Sequence, residues 1–160
     1  MKNLDVAVSA DNSGVKIVLR GSLIEGSGET MRKALAKHDG AKTLMFDLQE
    51  VTIINSVGIG EWVEFTHSLK GKELVFSRCP PNVVDTINLV PAFLGDAKIA
   101  DIFTDFHCPE CSYESREHII VADDISESAE LLKTFVCKRC HSNMETVEPE
   151  EDVFSFAAGN

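Results

Sequence analysis

The sequence predicts a mixed α/β fold followed by a small β module at the C-terminus. Short apolar runs alternate with amphipathic runs over the first hundred of the 160 residues, the pattern of strands and helices in one layer. The composition of the sequence changes near Ala100. The last 60 residues contain four of the five cysteines and 14 of the 26 acidic residues. We therefore predict an α/β domain over residues 1–105 and a separate module with an acidic tail over residues 106–160.

The first part of the α/β layer begins with two predicted strands. Residues 4–9 and 15–19 are apolar runs separated by the turn sequence at 11–14. Residues 29–38 place their apolar side chains on one face at helical spacing. We expect Gly40 to end this helix, because glycine readily adopts the left-handed conformation of a helix C-terminus.

The second part of the layer contains two predicted strands and a helix in close succession. The strands are expected at 43–48 and 51–54, and the helix is expected to begin at Asn55 or Ser56, since both residue types cap helices well. The helix reaches residue 67 or 69. Three further elements complete the prediction, namely a strand at 73–76, a helix at 82–89 opened by Pro80 and Pro81, and a last strand of the sheet at 102–106.

The C-terminal module is predicted to contain short strands and one helix. The strands are expected at 118–122, 144–147 and 152–156, and the helix at 127–133.

Two Cys-x-x-Cys pairs predict a metal site in this module. The four ligands are Cys108, Cys111, Cys137 and Cys140, and 25 residues separate the two pairs. Two such turns supply four thiolates to one tetrahedral ion, which closes the coordination sphere, so we expect a structural Zn²⁺. Two alternatives remain, an iron ion on the same ligands and two unconnected redox pairs.

Residues beside the cysteine pairs are assigned no ligand role. His107 and His141 flank the pairs as bystanders, and Ser112 and His141 stand where zinc ribbons often have glycine. The fifth cysteine, Cys79, follows an apolar run and is expected to be a buried hydrophobic residue.

The segment from Leu44 to Trp62 resembles the core of STAS domains, the fold of anti-sigma-factor antagonists. It shares the Asp-Leu-x-x-Val stretch at the end of a strand, and a short turn ending in glycine then opens a helix. The Asn-Ser-x-Gly turn, Cys79-Pro80 and the terminal cysteine pairs also resemble a set of bacterial STAS-like proteins that end in a zinc ribbon. The resemblance covers about two thirds of the chain. It implies a signalling or scaffold role.

The turn at 55–58 departs from the STAS pattern at its modified position. Phosphorylated antagonists carry Ser or Thr directly before the glycine, whereas this chain has Val57 before Gly58. Asn55 replaces the acidic residue of the family, and Ser56 is the only hydroxyl in the turn. The resemblance implies a partner surface at Asn55, Ser56, Val57 and Gly58 that works without phosphorylation. The partner would be a kinase-like regulator or a second copy of the chain.

Charge and hydropathy limit the partners and the location. The net charge is −11, and residues 101–160 carry 14 acids against 4 bases, so the attraction for phosphate backbones is missing. No apolar run reaches the roughly 18 residues that cross a bilayer. The N-terminus lacks the layout of a signal peptide. We expect a cytoplasmic protein that does not contact a membrane.

Three functions are compatible with these features, and they are ranked. A non-enzymatic signalling or scaffold protein with a structural zinc ribbon comes first. A nucleic-acid-binding regulator that uses Lys138 and Arg139 of the second cysteine pair comes second, because acids surround these bases. An enzyme comes last, since Gly26-Ser27-Gly28 is too sparse for a nucleotide loop and no catalytic triad motif is present. Trp62 is expected in the core rather than at an interface.

Overall fold

The computed structural model describes residues 2–158 and contains two sheets. The first is mixed, with β1 antiparallel to β2 and the remaining neighbours parallel. The second is antiparallel, in the order β7-β6-β8. In the first sheet the strands follow chain order, β1 (Asp5–Asp11), β2 (Gly14–Leu23), β3 (Thr43–Ile54), β4 (Glu73–Ser77) and β5 (Lys98–Ile99). The second sheet is formed by β6 (Asp101–His107), β7 (Glu114–Ile120) and β8 (Glu145–Thr146).

Five helices connect and cover the strands within the described residues. They are α1 (Ser27–Leu35), α2 (Ser56–His67), α3 (Pro81–Leu89), α4 (Ile125–Leu132) and α5 (Glu150–Val153). Parallel strands require crossovers, and α1, α2 and α3 provide those between β2, β3, β4 and β5. The predicted mixed α/β layer with a small C-terminal β module is confirmed.

Trp62 lies at the centre of the first core. It is fully buried, its ring stacks on Phe93 at a centroid distance of 5.2 Å, and its Nε1 donates a hydrogen bond to the Phe93 carbonyl at 2.9 Å. Phe46 of β3 and Phe76 of β4 contact the same ring edge-on at 5.3 and 5.4 Å. The prediction that Trp62 is a core residue is confirmed, and the buried indole N–H is satisfied.

A chain of charged groups joins the two sheets. The buried Asp47 of β3 accepts a hydrogen bond at 2.9 Å from Nε of Arg78, which follows β4. The backbone N–H of Arg78 donates to Oδ1 of Asp101 at 3.1 Å, and Oδ2 of Asp101 lies 2.5 Å from Nε2 of His118 in β7. Burial works to raise the pKa of Asp47, but the hydrogen bond and charge of Arg78, the Gln49 N–H and the Lys16 side chain together outweigh it and lower that pKa. The carboxylate is therefore held ionised at the joint between the sheets.

Two predicted strand assignments are wrong. The strands expected at 43–48 and 51–54 form the single strand β3, because Gln49 and Glu50 are exposed strand residues and not a break. Residues 102–106 belong to β6 of the second sheet and not to the first, whose last strand is β5. An isolated parallel bridge between Cys79 and Ile102 links the two sheets at that point.

Two further local predictions are also wrong. Residues 152–156, expected as a strand, form the end of α5 and a 3-10 turn, since Pro149 and the following acids favour a helix start. Gly40 does not adopt a left-handed conformation, and α1 instead ends in a 3-10 turn at Ala36–His38. A division of the chain at residue 105 stays a prediction, and β6 runs through that position. No helix among residues 2–158 is long and apolar enough to span a membrane.

Gly58 fixes the distance between α2 and β2. A Cβ atom at this position would lie 1.9 Å from the carbonyl oxygen of Leu23, a backbone atom that cannot rotate away. The same helix contains Gly60, where an added Cβ atom would meet no other atom within 4 Å. The two glycines therefore form a matched pair for testing how closely the helix start packs on β2.

We expect Gly58→Ala to lower the free energy of unfolding by about 3 kcal/mol or more, because the clash must displace α2 or β2. Gly60→Ala should raise it by up to about 1 kcal/mol through helix propensity. Urea unfolding followed by Trp62 fluorescence measures both changes. An unchanged stability in Gly58→Ala would contradict the packing described here.

Candidate metal centre and partner surface

The four cysteines of the two pairs meet at one point in the structure. All four thiols are free, and their sulfur atoms lie within 4.8 Å of one another. Cys108 lies 3.4 Å from Cys140, and Cys111 lies 3.5 Å from Cys137, so each close contact joins one pair to the other. The cluster could hold a metal ion.

The two cysteine turns have the same backbone geometry. The N–H of Ser112 donates to the carbonyl of Cys108 at 2.9 Å, and the N–H of His141 donates to the carbonyl of Cys137 at 3.0 Å. Ser112 and His141 have φ angles of 61° and 62°. Zinc ribbons often have glycine at these two positions, because the turn requires a left-handed backbone conformation there. The sequence departs from the pattern, but the backbone does not.

The sulfur geometry fits a tetrahedral ion. A Zn–S bond of about 2.3 Å places tetrahedral sulfur atoms about 3.8 Å apart, close to the cross-pair distances of 3.4 and 3.5 Å. Cys108 and Cys137 are buried, whereas Cys140 is exposed. Four protein thiols would leave no open position for a substrate, so a metal at this site would be structural.

Backbone and side-chain donors favour thiolates in the second turn. Hydrogen bonds from the Ser142 side chain and backbone lower the pKa of Cys140 to about 6. Burial works to raise the pKa of Cys137, but the N–H groups of Cys140 and Arg139 outweigh it and lower that pKa. The Tyr113 N–H works to lower the pKa of Cys111, yet burial and the neighbouring thiols raise it to about 12. A bound dication would displace the remaining thiol protons.

Neither flanking histidine is part of the sulfur cluster. His107 lies 3.8 Å from Glu145 across the β6–β8 pair, and His141 occupies the left-handed position of the second turn. Arg139 lies over the Tyr113 ring at 5.0 Å from its centroid, which places one of the two bases of the turn on an aromatic face.

Hydrogen bonds hold the backbone of the turn at 55–58, in which Asn55, Ser56 and Val57 are exposed and Gly58 is buried. Asn55 Oδ1 accepts the Gly58 N–H at 2.8 Å, so Asn55 is the helix cap and Ser56 is not. The Asn55 N–H donates to the Leu23 carbonyl at 3.2 Å. Val57 is 50% exposed, and Ile53 at the end of β3 is 42% exposed.

Glu61 of α2 holds the start of α1 beside this turn. Its carboxylate accepts the Gly28 N–H at 2.7 Å and the Gly26 N–H at 3.0 Å. The segment Gly26-Ser27-Gly28, considered above as a nucleotide loop, therefore binds a carboxylate of the chain itself. No sequence pattern identified Glu61, because its partners lie more than 30 residues away and no local signal connects them.

Comparisons with known proteins find similar solved structures but no similar family model or curated protein. The chain is similar to the structure of the anti-sigma factor antagonist SpoIIAA in its unphosphorylated form, with 14% identity and a TM-score of 0.44. The match covers 61% of this chain and 86% of that one. That structure is of the family which the sequence motif resembles, and a similarity of this extent assigns no function or site to the present chain.

The hydrogen bonds of Glu61 should make stability depend on pH. The N–H groups of Gly28 and Gly26 lower the pKa of Glu61 from its ordinary value of 4.5, so the folded state favours the ionised form. Its contribution is complete above pH 4.5 and is lost as the pH falls through the lowered pKa.

We expect Glu61→Gln to lower the free energy of unfolding by about 1 kcal/mol at pH 7, since the group is largely solvated. The difference from the wild type should shrink below pH 4.5. Glu64→Gln is the comparison in the same helix, because the Glu64 side chain is 77% exposed and its contact with α1 is only a 3.5 Å ion pair with Arg32, so its loss should cost less. Equal effects of the two variants in urea unfolding would show that Glu61 does not hold α1.

Proposed function

We propose that the chain is a non-enzymatic signalling or scaffold protein that binds a protein partner through the 55–58 turn. The observation that carries this proposal is the combination of a fixed backbone with exposed apolar side chains at Val57 and Ile53. A surface held in one conformation before binding loses little entropy when it meets a partner. A kinase-like regulator and a second copy of the chain are the partners that the STAS resemblance suggests.

Binding at this surface does not require phosphorylation. Val57 stands at the position of the modified residue in the phosphorylated antagonists and has no hydroxyl. A phosphate switch adds about two negative charges at a helix N-terminus, which valine cannot supply. Ser56 is the exposed hydroxyl beside it, and its phosphorylation is the alternative that the test below separates.

The four thiols bind one structural Zn²⁺ in this proposal. Cys108, Cys111, Cys137 and Cys140 are the ligands, and zinc is preferred over iron because a closed site of four thiolates is the usual form of a structural zinc site. The residues from 106 onward form the zinc-ribbon module, and the residues up to 105 form the STAS-like domain. The protein acts in the cytoplasm and does not contact a membrane.

A nucleic-acid-binding regulator ranks second. The pair of Arg139 on Tyr113 is the feature that favours it, since a basic group on an aromatic face can meet a base. The 14 acids of residues 101–160 disfavour it.

We expect Val57→Asp to abolish partner binding, because it replaces an apolar contact with a charge at the interface. The stability of the fold should not fall, because the side chain is half exposed. Cross-linking in cells followed by mass spectrometry identifies the partners, and sedimentation velocity tests self-association. Ser56→Ala is the matched control and should retain every partner, as should phosphatase-treated wild type. Partners that disappear in Ser56→Ala or after phosphatase treatment would contradict the proposal.

A further inference from the structure

An open groove runs along α3 on a surface separate from the 55–58 turn. It has a volume of about 470 Å³ and lies between α3, β6 and the segment around α5. Val84, Leu89, Phe103 and Val153 provide apolar walls. The volume lies within the range of about 300–1,000 Å³ that is typical of ligand pockets.

The polar lining of the groove is acidic. Asp85, Glu148 and Asp152 line it, and no lysine or arginine does so among the described residues. Burial, and secondarily the charge of Asp105, raise the pKa of Asp85. A positive charge beside Asp85 would stabilise the ionised form of its carboxyl group.

Two uncharged polar side chains, Thr104 and Asn88, also line the groove. Thr104 of β6 is only 6% exposed, and its hydroxyl makes no side-chain hydrogen bond within residues 2–158. The Asn88 Oδ1 atom is buried and unpaired in that part of the chain, although its Nδ2 donates to the Asp152 carbonyl at 3.0 Å. The Thr104 hydroxyl lines the groove without a side-chain partner among the described residues, so a donor group of a ligand in the groove could bind it.

We propose that this groove binds an arginine or lysine side chain from a basic segment of a protein partner. The cationic head would lie among Asp85, Asp152 and the Thr104 hydroxyl. The alkyl stem would pack against the apolar walls and cover Leu89, which is 82% exposed. A bare divalent cation fits less well, because it prefers six or more oxygen ligands and gains nothing from apolar walls.

The charge distribution of the chain favours a basic partner. The net charge of residues 101–160 is −10, from 14 acids and 4 bases, so a positive segment is attracted before it reaches the groove. Long cationic side chains pack their alkyl stems on apolar surface while the charged head contacts carboxylates. The groove offers both kinds of surface side by side. Binding in the groove does not depend on the role of the 55–58 turn.

The test is an NMR titration of the full chain with an acetylated, amidated glycine peptide that carries one arginine. We expect saturable shifts of the Asp85 and Thr104 amides, and no such shifts with the same peptide carrying norleucine. The double variant Asp85→Asn/Asp152→Asn should bind about tenfold more weakly or worse, and Thr104→Val about threefold more weakly.

The control double variant Asp123→Asn/Glu127→Gln removes the same charge from exposed positions outside the groove. It should bind as the wild type does. If the control variant bound the peptide as weakly as the groove variant, the cause would be general electrostatic attraction. That result would overturn the proposal. Saturable binding of agmatine, a small molecule with one amine and one guanidinium group, without binding of the arginine peptide would also overturn it, because the ligand would then be a small molecule.

Discussion

The meeting of four thiols at one point is the constraint on which the C-terminal third of the chain depends. The second sheet has three strands, and one of them is only two residues long. Few apolar residues of this part are buried apart from the cysteines, mainly Ile102, Phe106, Ile119, Leu132 and Met144, and they continue the core of the first sheet. A unit of this size rarely folds on its core alone and commonly needs a metal or disulfides. The thiols form no disulfides, so the proposed zinc ion would supply the missing stability.

The position of the groove follows from the same constraint. β6 forms one wall of the groove and runs directly into Cys108, while β8, which pairs with β6, leads to the acids around α5 that form the opposite side. A metal that fixes the cysteine turns therefore also fixes the acidic groove against α3. The Asp47–Arg78–Asp101 chain holds the other end of β6 to the first sheet. The proposed basic-segment site thus depends on the ribbon, whereas the 55–58 turn depends on the packing of Gly58 against β2.

The sequence predicts the parts of the structure that have a local signal. Helical periodicity located α1, α2 and α3, and Pro80-Pro81 marked the start of the last of these. The spacing of the cysteines predicted the four residues whose sulfur atoms lie close together in the structure. Predictions failed where partners far along the chain decide the outcome. Residues 102–106 have the pattern of a strand, but only pairing with β7 and β8 places them in the second sheet.

The same limit explains which functional groups were missed. Glu61 and Thr104 have no motif around them. The Glu61 carboxylate is important because it reaches the start of a distant helix. The Thr104 hydroxyl is important because it lines the groove and has no side-chain partner among the described residues. Val57 was identified from the sequence because the STAS resemblance defines its position, and its exposure is a property that only the structure gives. Short-range motifs therefore predict ligands and turns, whereas long-range contacts decide charge pairing and cavities.

The most direct test is the metal content of the untagged protein purified without chelator, measured by inductively coupled plasma mass spectrometry. The control is the Cys108→Ser/Cys137→Ser double variant. We predict one zinc per chain in the wild type and none in the variant, together with loss of amide-exchange protection in β6 and β7 and retained protection in β3. An absence of metal in the wild type, or an equal zinc content in the variant, would contradict the central claim that these four cysteines hold a structural zinc ion.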